Sequence, residues 1–224
     1  MLPRFRKLRL TVAAGSVAVL AACQQVAPPP PPAAPVVQPQ YTPRAPTTPF
    51  GASTNTIVPT LRADGLRQTI NRDLGPLETL WHVRAALNVA ALSCTAPQYA
   101  RLVDDYNAFI TNNKSHLRKA NNAIIQKFRR DIGSGYKSAH DRHQTSLYNY
   151  WSFSPLRRPF CDQAVEVSQR AIVTPSTGLN DFAASALPQL EGPFTDFYAA
   201  YEQYEKDLEA WRVQYSGATP TGQN

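Results

Sequence analysis

Eleven prolines fall between Gln24 and Pro59, five of them consecutive at Pro28 to Pro32, and a single charged side chain, Arg44, interrupts the stretch. A proline ring fixes φ and carries no N–H, so such a segment can join neither a helix interior nor a central sheet ladder. Its remaining residues are mostly Ala, Thr, Gln and Val, which bury too little apolar surface to fold alone. The expectation for residues 23–59 is a disordered, polyproline II-like linker, with a reach approaching ~100 Å at about 3.1 Å per residue. A polyproline ligand for a partner is the alternative, although the flanking charges that such ligands usually add are missing. The folded part is thereby confined to residues 60–216, with 217–224 as a disordered tail.

Ahead of the linker, residues 1–9 hold four basic side chains and no acid, and Leu10 to Ala22 is an uncharged run of 13 residues. This is the basic start and short apolar stretch of an export signal, residues 1–22. A membrane-spanning helix needs about 20 apolar residues, so the run is too short to cross a bilayer. It ends in Leu20, Ala21, Ala22 and Cys23, a quartet that resembles the lipobox of bacterial lipoproteins. The resemblance implies cleavage just before Cys23, a diacylglyceryl group on its thiol and an acylated new amine. Cleavage after Ala21 by an ordinary signal peptidase is the alternative. Gln24, where Asp would stand in a retained protein, resembles the outer-membrane sorting pattern of enteric-type lipoproteins. The expected location is the cell envelope, lipid-anchored in the outer membrane and facing the periplasm.

Export changes the meaning of the charge. The whole chain carries a formal +7, but loss of the four basic residues of the signal leaves 19 basic against 16 acidic side chains, a net of +3. The high isoelectric point therefore belongs partly to the signal, and the case for a nucleic-acid partner loses most of its support.

From Thr60 onward the apolar spacing is helical, with no convincing strand alternation and no internal repeat. Residues 77–94, "LETLWHVRAALNVAALSC", place Leu77, Leu80, Trp81, Ala85, Leu87 and Leu92 in a dense apolar context, which predicts a central, buried helix. Thr95 and Gln98 have capping-box spacing, and Tyr99, Leu102, Val103, Tyr106, Phe109 and Ile110 then follow helical periodicity. A third helix is predicted over 114–132, with Leu117, Ile124, Ile125, Phe128 and Ile132 inside, and a shorter one over 138–153. Ser154 and Pro155 carry the cap and first-turn signals of a fifth, lined by Phe160, Cys161, Ala164, Val165, Ser168 and Ile172. After a break near 174–178, a last long helix carries Phe194, Phe197, Tyr198, Tyr201, Leu208, Trp211 and Tyr215. The fold class read from these patterns is an all-α bundle of five to seven helices.

Three cysteines in an exported chain leave one odd thiol, and lipidation of Cys23 leaves Cys94 and Cys161 as a pair. A bridge between them would close a loop of about 68 residues, worth ~4 kcal/mol in the chain-entropy model, and two buried free thiols are the alternative. The segments "LNVAALSC", "SLYNYWSF" and "RPFCDQA" resemble a family of bacterial envelope proteins over roughly residues 80 to 170. That resemblance implies one domain containing both cysteines and transfers no catalytic residue.

Chemistry-bearing motifs are sparse. His140 and His143 are three apart, so on a helix both could face one metal ion, but no third ligand with suitable spacing follows. No nucleophile elbow, zinc-protease, P-loop or dinucleotide pattern occurs, so no catalytic residue and no cofactor is expected. Asp104 and Asp105 point to different helix sides and make poor acid–base partners. Charge is more informative, because Arg101 to Arg158 holds eleven basic residues against four acids, whereas Asp181 to Glu209 holds seven acids against Lys206. Lys114, Arg118, Lys119, Lys127, Arg129, Arg130, Arg157 and Arg158 are candidate contacts for an anionic envelope polymer, a lipid headgroup or an envelope protein. The alternative is that they face water or the acidic last helix. The function expected is non-enzymatic binding; a hydrolase assembled around His140 and His143 is the competing expectation.

Overall fold

The computed structural model describes residues 42–215, and within them the architecture is the all-α bundle that the patterning predicts. Six α-helices follow one another: α1 (Pro76–Ser93), α2 (Arg101–Asn112), α3 (Lys114–Ile132), α4 (Tyr136–Trp151), α5 (Arg157–Val173) and α6 (Leu179–Tyr215). No strand occurs among the described residues, only an isolated antiparallel bridge between Leu61 and Arg67. The export signal, Cys23, the linker as far as Tyr41, and the tail lie outside the described residues.

α1 is the axis of the bundle. Pro76 occupies the first helical position, where its missing N–H costs nothing, and Glu78 reaches back to accept the Gly75 N–H at 2.8 Å. Leu80, Val83, Ala85, Ala86, Leu87, Val89 and Ala90 are all buried, on more than one face, because α1 touches each of the other five helices. Small alanines on several sides allow that many neighbours to approach at once. Leu92 departs from the expected core: it is 73% exposed on the solvent side of the last turn of α1, while Ala90 and Cys94 beside it stay buried.

The other helices follow their stripes with local departures. In α2, Leu102, Tyr106 and Phe109 face inward, but Val103 is exposed and Asp105 turns inward, where its carboxylate accepts the Ser168 hydroxyl at 3.1 Å. Thr95 and Gln98 form no capping box, because Pro97–Tyr99 makes a separate 3-10 turn and α2 starts only at Arg101. Ser154 likewise opens a 3-10 turn, Ser154–Leu156, and α5 begins after it without a side-chain cap. α3 has the predicted bounds, yet Ile132 at its last position is half exposed as the chain turns away through Gly133.

α6 runs for 37 residues despite Pro188 and Pro193 in its interior. Each proline removes one N–H, from the carbonyls of Ala184 and Gln189, and aromatic packing compensates for the lost bonds. Phe194 meets Trp151, Phe160 and Tyr150 at ring-centroid distances of 5.5, 6.1 and 4.5 Å, and Phe197 meets Phe153 at 5.2 Å. The aromatic stripe on the last helix is therefore core as far as Tyr204, while Leu208, Trp211 and Tyr215 beyond it are half-buried.

Packing begins before Thr60, where the sequence puts the domain boundary. Residues 42–75 form an irregular strap fastened to α6. The Trp211 indole donates to the Pro43 carbonyl at 2.8 Å, the Tyr201 hydroxyl donates to the Ser53 carbonyl at 2.9 Å, and Ala52 is buried. Prolines that forbid a helix do not forbid docking, because the strap's exposed carbonyls accept from side chains of α6.

Candidate binding site

Two polar constellations stand out, and they differ in how their charges are met. The first is buried. Glu191, in the middle of α6 and 3% exposed, accepts on one oxygen from Thr69, Asn71 and Tyr150 at 2.9, 3.1 and 3.1 Å, while its other oxygen meets Arg72 at 2.8 Å. Burial, with the Glu191 carboxylate adding to it, pushes the Tyr150 hydroxyl far above its ordinary range, so Tyr150 acts as a donor. Asn71 spends its amide N–H on Glu191, so its carbonyl accepts from His82 Nδ1 at 2.8 Å. That fixes the tautomer: His82 Nε2 is the acceptor, and the His143 Nε2–H donates to it across 3.2 Å.

His82 is fully buried, and desolvation followed by the neighbouring His143 pushes it down to about 3. His143 is lowered too, first by burial and then by His140. Both rings are neutral at physiological pH. Phe128 lies against His140 and His143, at centroid distances of 5.7 and 5.3 Å. The two histidines of the sequence motif do share a side of α4, but the partner of His143 is His82, which the sequence reading missed inside the apolar run of α1. Among the described residues no three His, Cys, Asp or Glu side chains gather as a metal site would require. The chain from Glu191 to His143 spends its hydroxyl, amide and imidazole groups on one another, and so holds the strap, α1, α4 and α6 in register.

The second constellation is open. A groove of about 550 Å³ lies between α1, α2 and α3. Its apolar wall is Trp81, Ile110 and Leu117; its neutral polar groups are Thr111 and Asn121; its charged groups are Arg84, Lys114 and Arg118, and no acid lines it. Arg84 is held in place by donating to the Tyr148 hydroxyl at 2.8 Å and by lying 5.0 Å from the centre of the Trp81 ring. The Trp81 indole is oriented by its bond to Gln144 at 3.0 Å. Lys114 and Arg118 are exposed, one turn apart, and form no ion pair among the described residues.

The start of α3 sharpens this. A helix N-terminus carries partial positive charge and favours acids, yet the first turn of α3 has none, and Lys114 is its first residue. Asn113, in the capping position, turns its amide back to the Phe109 carbonyl at 3.0 Å and leaves the first-turn N–H groups without a side-chain acceptor. Positive side chains therefore stand at the positive end of a helix with no counter-charge.

The eight basic candidates do not form one face. Lys114 and Arg118 enter the groove, while Lys119 and Arg130 point to solvent on the far side of α3. Lys127 pairs with Asp131 at 2.9 Å, and Arg129 donates to the Tyr136 hydroxyl and lies over its ring, so these two have local structural partners. Arg157 and Arg158 line a separate recess beside Cys94 and Cys161. Those two cysteines face one another with Cα atoms 5.7 Å apart, the spacing a disulfide needs, joining the end of α1 to α5.

Compared with known protein families, with curated proteins and with solved structures, the chain matches none. No described helix is long and apolar enough to cross a membrane.

Proposed function

We propose that this protein is an exported lipoprotein, anchored in the outer membrane through Cys23, whose periplasmic helical domain binds an anionic envelope polymer without catalysing a reaction. The observation that carries the binding part is the groove in which Arg84, Lys114 and Arg118 converge without an acid. The anchoring part rests on the quartet Leu20 to Cys23 and on the pairing of the other two cysteines, which leaves Cys23 as the odd thiol. A disulfide between Cys94 and Cys161 fits the same oxidising compartment. The His140 and His143 region does not favour a hydrolase, because the His143 Nε2 is committed to His82 and aromatic packing covers the pair.

Cell fractionation, intact-mass measurement and co-sedimentation with isolated cell-wall sacculi test this reading together. The native protein is expected in the outer membrane with a lipid-modified Cys23, and Cys23→Ser is expected to become soluble. Non-reducing peptide mapping should yield one linked Cys94–Cys161 peptide. Sedimentation with sacculi should weaken as salt rises, since exposed charges are screened over ~8 Å at physiological ionic strength. Membrane retention of Cys23→Ser would remove the anchor, and salt-independent or absent sedimentation would remove the polymer.

A further inference from the structure

The groove between α1, α2 and α3 is open to solvent and has room for a small ligand. At about 550 Å³ its volume is that of sites that take a compact ligand. Its lining is divided by chemistry. Arg84, Lys114 and Arg118 supply cationic donors, and Arg84, held by Tyr148 through one amino group, retains its other N–H donors for a carboxylate or phosphate. Thr111 and Asn121 supply neutral hydrogen-bonding groups, and Trp81 gives a broad apolar surface. A bare inorganic anion would use only the first of these sets, and a lipid tail only the last. A ring carrying hydroxyl groups and one acidic substituent uses all three.

We infer that this groove is a specific site for an acidic saccharide, one sugar-sized unit bearing a carboxylate or a phosphate, and not for a lipid headgroup. The inference rests on the polymer-binding reading above and narrows it to one cavity. Lys114 and Arg118 hold the acidic substituent, Arg84 completes its coordination from the α1 side, and Trp81, Thr111 and Asn121 meet the ring.

The test is titration of the full-length protein, followed by the Trp81 indole N–H resonance assigned with Trp81→Phe. The probes are N-acetylmuramic acid, a sugar phosphate, neutral N-acetylglucosamine, inorganic phosphate and phosphatidylglycerol vesicles. The expected result is saturable binding of the two acidic sugars, at least tenfold tighter than the neutral sugar or inorganic phosphate. Lys114→Gln with Arg118→Gln should weaken it at least tenfold, whereas Lys119→Gln with Arg130→Gln, outside the groove, should change it less than twofold. All four side chains are exposed, and unchanged melting temperatures will show that both double variants are folded. Equal loss in the two variants would overturn the groove as the site while leaving polymer binding by the wider basic surface intact. A response to vesicles alone, or equal affinity for neutral and acidic sugars, would overturn the ligand class. Absence of sacculus sedimentation by the wild type would instead remove the broader reading.

Discussion

The strap side of the molecule and the groove side use arginine in opposite ways. Three arginines of the strap have an acid: Arg72 meets Glu191 and Arg67 meets Glu202 on α6, both at 2.8 Å, and Arg62 meets Asp73 within the strap at 2.8 Å. Where α1, α2 and α3 meet, Arg84, Lys114 and Arg118 have none. The contrast is also one of burial, since Arg67 and Glu191 are almost enclosed whereas Lys114 and Arg118 are exposed. A charge withdrawn from water must be partnered, so pairing on the strap side follows from folding itself. An exposed charge carries no such requirement: Arg84 is held by Tyr148 and Trp81, but no ion pair among the described residues accounts for the exposed Lys114 and Arg118 beside it.

That comparison breaks most readily at Glu191. Its replacement by Ala leaves the Arg72 charge and three polar donors without their acceptor, so we expect a loss of about 4–5 kcal/mol in urea unfolding, at the upper end for a broken buried pair. A loss under about 1 kcal/mol, the range of a surface pair, would mean that the strap is held by other contacts.

Acid should release the same region. His82 is neutral in the folded protein down to about 3, whereas the unfolded chain gains its proton near 6.5. The unfolded state therefore binds more protons throughout that window, and stability declines as pH falls from 6.5 towards 3, by about 4 kcal/mol in total for His82. His143, also lowered, adds in the same direction. Unfolding midpoints measured across this range should fall steeply for the wild type and less steeply for His82→Gln. Parallel slopes would show that the buried histidine pair does not set the acid limit.

A smaller effect sharpens the account of the strap. Trp211→Phe keeps most of the packing but removes the bond to the Pro43 carbonyl, and should cost about 1 kcal/mol, the typical net value of one hydrogen bond. Amide exchange should then quicken in the strap near residue 44 and remain unchanged in α1. Faster exchange in both would mean that the strap and the core open together.

The fold was largely legible because helical periodicity is local: the stripes of α2, α3 and α6 lie within a few turns of sequence. Leu92 and Ile132 went astray for the same reason, since a stripe does not reveal which of its positions a neighbouring helix covers. The buried polar chain was hardly legible. Asn71 and Glu191 are 120 positions apart, and His82 lies in a run that otherwise reads as core. Its one visible trace was a histidine among apolar neighbours, a residue that a buried helix keeps only when its ring nitrogens find partners. The basic segment was visible as composition, but only packing separates Arg118 in the groove from Arg129 beside Tyr136.

Paired urea denaturation of Arg72→Gln and Arg118→Gln tests most directly whether the strap-side arginine is bound into the scaffold while the exposed groove arginine is free of it. Arg72→Gln should lose about 3 kcal/mol, because it strands the buried Glu191 carboxylate. Arg118→Gln should stay within about 0.5 kcal/mol of the wild type, as surface substitutions do. Comparable losses in the two variants would contradict the account, because Arg118 would then be part of the scaffold and no longer an open cation awaiting an anion.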